Sequence, residues 1–324
     1  MGKADALNFL SDRLIEQNVN IVTSSFPIYA TPIGNTIRVL LKEGGSQFDL
    51  TAREELEVKM SLFALNRLEF LEAFLSESID EDTLILFDRS AFSNALTIAY
   101  AMKEIPNLDR DEVEALVRVA LGLDSLLIET LGLKRCVVQL VSENQNWKSA
   151  RKEEVDLHEN SKVQEYANYV YSIYQDIVGN GWKRVTTRNK DEEWRNREDI
   201  YVEIYGFLTE KYGVLGSNRG VGKRIDIGIK EIVGSVYAGS TVDEDLLDEY
   251  ILSVRDNDKD LMYLTSRGIK EAVCSSCSVI AFKNQVIKET ISCILNRYPK
   301  ILDVLGYNLG RKFVLDLEEA IRDE

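Results

Sequence analysis

Thr83-Leu84-Ile85-Leu86-Phe87-Asp88-Arg89 decides how this chain folds. The run from Leu84 to Phe87 has no polar alternation, which predicts a strand covered on both faces, as in a parallel sheet. Asp88 and Arg89 close it at its carboxyl end, where open α/β sheets bind ligands. Upstream, Leu7, Leu10 and Leu14 share one helical stripe within 5–17. Val19 to Val22 is a short β-rich run that stops at Thr23-Ser24-Ser25. A long helical pattern from Thr51 to Ser76 carries Leu56, Met60, Phe63 and Arg67. Downstream, helix is expected over 110–130 and 163–177, with strands over 136–141 and 182–186. This alternation predicts a parallel sheet covered by helices.

From Leu215 the pattern changes. Gly216, Gly220 and Gly222 mark a connection, and the segments 225–237, 245–254, 261–293 and 304–321 all favour helix. The expected organisation is an α/β domain over 1–213 and an α-helical C-terminal domain over 214–324. The 324 residues are 45% hydrophobic, enough for a sizeable core. With 39 basic and 54 acidic residues, the net charge of −15 repels polyanions, so neither nucleic acid nor an acidic membrane is an expected partner. No run approaches about 18 apolar residues and no secretory pattern opens the sequence, so a cytoplasmic protein is expected. Cys136, Cys274, Cys277 and Cys293 are too scattered for a disulfide framework.

Three further segments stand around the decisive strand. Two precede it, Phe26-Pro27-Ile28-Tyr29-Ala30-Thr31-Pro32-Ile33-Gly34 and Leu62-Phe63-Ala64-Leu65-Asn66-Arg67, and Ser93-Asn94 follows it. Together with Asp88-Arg89 they supply an aromatic face, two guanidinium groups, a carboxylate and an amide. Such a set can hold a pyrimidine nucleotide by base and phosphate. Phe63 and Arg67 lie one helical turn apart, so both can face one pocket. Taken singly, Phe63 could equally be core, Arg67 and Arg38 solvated, Asn94 a satisfied helix amide and Asp88-Arg89 a plain ion pair.

In this order the segments resemble thymidylate kinase over residues 1 to about 212. The resemblance implies a P-loop kinase-like fold, Mg²⁺-dependent transfer of the ATP γ-phosphoryl group to dTMP, and a homodimer. It implies that Phe63 stacks on thymine, that Arg67 donates to its carbonyl edge, and that Asn94, with Ser93 beside it, bonds the pyrimidine edge. Tyr29 would line the monophosphate site, and Arg38, in Gly34-x-x-Ile37-Arg38, would face the phosphate. Asp88 would organise the metal and Arg89 would neutralise the substrate phosphate. Lys148, Arg151 and Lys152 fall where the family has a lid, and Arg151 is the expected catalytic cation. Gly2 and Lys3, followed by Ala4 and a helix, look like the end of a phosphate loop, with Lys3 reaching the outer phosphates of ATP.

The sequence also departs from the family. Its first strand and glycine turn have no counterpart ahead of Gly2, and a missing central strand would leave neighbours unpaired at a cost of several kcal/mol. The expectation is therefore a natural start upstream of Met1, with a degenerate family member as the alternative. Ala4 replaces a hydroxyl residue, Ser90 an aromatic and Thr97 a tyrosine that crowds the sugar. A non-catalytic nucleotide-binding protein, or a kinase for another pyrimidine nucleotide, are the competing functions. Gly216 to Arg224 imitates a phosphate loop, but its spacing and Arg224 in place of Ser/Thr favour a hinge. Cys274-Ser275-Ser276-Cys277 lacks a second half for a metal site.

Overall fold

A computed structural model describes residues 3–105, 108–141, 161–189, 193–213, 221–229, 244–256 and 284–309, with short pieces at 215, 231–232, 258, 260–261, 264–265 and 268. Along the chain, α1 (Lys3–Glu16) leads to β1 (Ile21–Ser25), and α2 (Pro32–Glu43) and α3 (Ala52–Ser76) lead to β2 (Leu84–Asp88). Next come α4 (Asn94–Glu104), α5 (Arg110–Leu123), α6 (Ser125–Thr130), β3 (Val137–Val141), α7 (Ser161–Val178) and β4 (Trp182–Thr186). The chain continues through α8 (Arg197–Tyr212), β5 (Arg224–Ile225), α9 (Glu244–Asp256), α10 (Gln285–Arg297) and α11 (Lys300–Leu309). It divides into two compact units, Met1–Ser25 with Ile79–Asp226, and Phe26–Ser78 with Ile227–Glu324. The second unit thus joins an early segment to the C-terminal region.

The first unit holds the strands, all parallel. β1 pairs with β2 from Ile21↔Leu84 to Ser25↔Asp88, and its other edge pairs with β5 through Ile21↔Arg224 and Val22↔Ile225. β3 pairs with β4 from Val137↔Trp182 to Val141↔Thr186. Among the described residues, β2 and β3 each have one strand partner, in separate sheets. Both still contribute to one core. Leu84, Leu86, Val138 and Leu140 pack against the buried cluster of Leu10, Leu14, Ile21, Val185, Ile200 and Ile204. The fold is therefore α/β, with parallel strands under helical cover, although β2, expected to be covered on both faces, is only half-buried along its length.

Local chemistry explains most boundaries. Thr51 and Glu54 form a reciprocal capping box at the start of α3, and Asp109 and Glu112 do the same for α5. α2 opens on Thr31 as N-cap with Pro32 just inside, where a missing N–H costs nothing.

Some expectations change. β1 runs on through the polar Thr23, Ser24 and Ser25, because each of these positions is paired with β2. The helical stretch 110–130 is two helices, α5 and α6, divided at Asp124. Ile225, expected in a helix, lies in β5, because the free edge of β1 recruits it as a parallel partner. Of the loop-like stretch 216–224, residues 216–220 lie outside the described residues, as do Cys274, Cys277 and His158. Cys136 and Cys293 are free thiols, and burial pushes the Cys136 thiol up to about 11.

Gly222 precedes β5 where the backbone passes close to the end of α1. A Cβ there would lie 2.6 Å from the Ile15 carbonyl oxygen and 2.8 Å from the Val19 amide nitrogen. Both obstacles are backbone, so neither yields easily. Gly222→Ala is expected to lower the unfolding free energy by about 1–3 kcal/mol, measured by urea denaturation. An unchanged midpoint would show that β5 is not held there.

Candidate functional site

In the second unit, the loop Phe26–Thr31 is fixed to α3 by a buried polar network. Asn66 Oδ1 accepts from the Ile28 N–H at 2.8 Å, and Asn66 Nδ2 lies 2.9 Å from both Thr31 Oγ1 and Glu69 Oε2. Thr31 donates to Glu69 Oε2 at 2.6 Å, and the Ile33 N–H donates to Glu69 Oε1 at 3.3 Å. Glu69 is only 1% exposed, so these donors replace the water that its carboxylate has lost. Gly34 completes the junction. A Cβ there would fall 1.8 Å from the Ile28 carbonyl oxygen, so no side chain fits where α2 crosses the loop.

The same two elements carry the aromatic and cationic groups expected at a nucleotide site. From Met60 to Ala73 every residue of α3 is buried except Phe63, which keeps partial exposure. Arg67, one turn on, is buried. Tyr29 is 36% exposed, and the Arg38 guanidinium sits over its ring at 5.3 Å while reaching its carbonyl oxygen at 3.5 Å. Phe63, Arg67, Tyr29 and Arg38 thus lie in one compact unit, on one loop and the two helices that the network joins.

The first unit holds the remaining expected residues around the carboxyl end of β2. Asp88 is the last residue of the strand, and its Oδ1 is buried without a hydrogen-bond partner among the described residues. Arg89 follows at φ 66°, a left-handed conformation uncommon for a non-glycine residue and strained by about 1–3 kcal/mol. The turn is closed by Ser93, whose hydroxyl accepts from the Ser90 N–H at 3.2 Å. Asn94 is buried and directs its amide towards Asp124 Oδ2, at 3.4 Å. Its donor is engaged within the protein.

Lys3 opens α1 close enough to this turn to sense it. Although the residue is exposed, its ammonium is held below the usual lysine range, first by loss of solvent and then by the positive Arg89, while Asp88 acts in the opposite direction. Ala4 lies exposed in the same first turn. Burial pushes the Tyr171 hydroxyl up to about 12, partly opposed by Arg89. Gly2, Lys148, Arg151 and Lys152 lie outside the described residues. Among the described residues no group of three or more potential ligands could enclose a metal, and no helix is long and apolar enough to cross a membrane.

Residues 1–116 match the thymidylate kinase family model. Over that stretch the chain is similar to the thymidylate kinase family. It contains both clusters and ends inside α5, short of the expected reach to about residue 212. No curated protein and no solved structure matches the chain. A thymidylate kinase domain supports nucleoside monophosphate kinase chemistry for this part of the chain.

Thr31 and Glu69 carried no role in the sequence reading, and Asn66 figured only as part of a motif. The available signal was an Asn-x-x-Glu pair flanked by the apolar runs Leu62–Leu65 and Phe70–Leu71, where unpaired polar groups are costly. Glu69→Ala would strand the Thr31 and Asn66 donors and the Ile33 amide. A loss of about 2–4 kcal/mol in unfolding free energy is expected, with Glu69→Gln falling between this variant and the parent protein. Guanidinium denaturation measures both, and an unchanged Glu69→Ala midpoint would overturn the network's role.

Proposed function

We propose that the protein is a dTMP kinase, transferring the γ-phosphoryl group of ATP to dTMP with Mg²⁺ to give dTDP, as a cytoplasmic homodimer. The observation that carries this reading is the solvent-reached Phe63 within an otherwise buried stretch of α3, one turn from a buried arginine. An aromatic face left open in that setting suits stacking of a flat base, which is worth about 1–3 kcal/mol per base. Arg67 donates to the base carbonyl edge, and Tyr29 and Arg38 serve the monophosphate. Ser93 and Asn94 are assigned to the nucleotide as the resemblance implies, Asn94 through its amide oxygen, since its amide N–H already meets Asp124.

Phosphoryl transfer asks the protein mainly for positioning and for positive charge on the spreading oxygens. Lys3, with Gly2 and Ala4 beside it, contacts the ATP phosphates, Arg89 neutralises the substrate phosphate, and Arg151 adds a further cation. The buried Oδ1 of Asp88, which has no hydrogen-bond partner among the described residues, fits a hard divalent cation. Mg²⁺ held by Asp88 would supply charge neutralisation on the phosphates. Arg89 and Lys3 would hold phosphate oxygens while an oxygen of the dTMP phosphate forms its bond to the γ-phosphorus and the bond from that phosphorus to the bridging oxygen breaks, releasing ADP.

A coupled assay of ADP release with dTMP, CMP and AMP tests the reading. The expected result is turnover with dTMP ahead of the other two, and Phe63→Ala raising the dTMP KM about 10- to 100-fold, the stacking energy restated as a ratio. Arg89→Ala is expected to lower kcat instead. Turnover of CMP or AMP without dTMP would overturn the substrate assignment, and dTMP binding without turnover would identify a binding protein.

A further inference from the structure

An asparagine amide has two ends of similar size and opposite chemistry: Oδ1 accepts and Nδ2 donates. The torsion that exchanges them is soft, so an unrestrained side chain presents either end. Asn94 is restrained. It opens α4 and is 1% exposed, and the one hydrogen bond of its side chain among the described residues runs from Nδ2 to Asp124 Oδ2, at 3.4 Å. Asp124 is buried to the same degree and lies beyond residue 116, where the thymidylate kinase match ends.

Asp124 stands between α5 and α6, at the N-cap of the second, yet its side chain makes no cap bond to that helix. An aspartate at such a position ordinarily accepts from the N–H groups of its own helix. Here the carboxylate meets α4 instead. A carboxylate can only accept, so the bond has one direction. The amine end of Asn94 turns to Asp124, and the oxygen end is left for a ligand.

We infer that Asp124 is a positioning residue that sets base selectivity through Asn94, holding the amide so that an acceptor meets the pyrimidine edge. This rests on the reading of Asn94 as a base contact. Thymine and uracil carry a hydrogen on N3 and can donate it to Oδ1. Cytosine has a lone pair at N3, which would meet Oδ1 acceptor to acceptor and leave both without a bond. Turning the amide over would cure that mismatch only by setting its oxygen against the carboxylate. Both side chains are cut off from solvent, so water cannot stand in for the lost bond. Asp124 therefore favours bases with a hydrogen on N3 without touching them.

Calorimetry with dTMP and 5-methyl-dCMP tests this, because the two ligands share phosphate, sugar and methyl group and differ only along the base edge. Asp124→Asn keeps the side-chain size and adds a donor, so either orientation of Asn94 finds a partner. The expected result is a preference for dTMP reduced about five- to thirtyfold. Asp124→Ser, whose hydroxyl also donates and accepts, should reduce it in the same direction and serves if the first variant does not fold. In the Asn94→Ala background neither substitution should change the preference further. A preference unchanged by both variants, with or without equal losses for the two ligands, or an undiminished effect without Asn94, would overturn the positioning role and leave the dTMP reading standing. Wild-type protein that binds neither ligand, or shows no preference for dTMP, would overturn the base reading of Asn94 and the role of Asp124 with it.

Discussion

A carboxylate almost cut off from water must find its hydrogen bonds inside the protein, and the second unit is organised around that requirement at Glu69. Its acceptors are satisfied by Thr31 and Ile33 at the start of α2 and by Asn66 on its own helix. Satisfying the charge therefore fixes the path of a loop. That loop delivers Tyr29, and α2 continues from it to Arg38. On α3, Asn66 lies immediately before Arg67 and one turn after Phe63. Every group proposed to meet the nucleotide in this unit thus lies within a few residues of the network. α10 and α11 pack against α3, and α11 also against α2, so the C-terminal region braces the same pair of helices.

The first unit depends on a different constraint, the pairing of backbone groups along β1. Both edges of this strand are used, by β2 and by β5. The run Leu84–Phe87 was legible as a strand because its apolar residues are consecutive, although β2 is only half-buried along its length, and 182–186 because its buried Trp182 and Val185 are bounded by turns. The polar end of β1 was not. Thr23, Ser24 and Ser25 have no pattern of their own that demands a strand, and their conformation follows from the partner opposite. Ile225 is the same case with a more distant partner, since its preference for helix is outweighed by an open sheet edge.

Legibility of the candidate site divides along similar lines. Phe63 and Arg67 could be paired from helical spacing, and Asp88 and Arg89 from their place at a strand end. Glu69 could not be separated from a surface glutamate, because nothing near it in sequence shows that Thr31, 38 residues away, supplies its hydroxyl. Asn94 shows the reverse: its position suggested a ligand, whereas the structure gives its amide a protein partner in Asp124. Contacts made within one turn or one strand are encoded locally, and contacts made by folding are not.

The proposed phosphate contacts of the first unit rest on the charges at the end of β2. The chain as a whole carries −15, which disfavours phosphates approaching most of its surface. Around Asp88 the local balance differs, because Lys3 and Arg89 bring two cations to one carboxylate. Their mutual repulsion, added to loss of solvent, is visible in the lowered Lys3 ammonium. Charge of one sign held against itself is relieved by a counter-ion of the other, and a polyphosphate supplies several such charges at the spacing of neighbouring oxygens. The left-handed backbone at Arg89 adds to this, since strain persists where surrounding structure fixes a side chain in place. On the proposed reading, a local cationic turn within an acidic protein would favour a small, highly charged ligand over an extended polyanion, whose remaining charges would meet the repulsive surface.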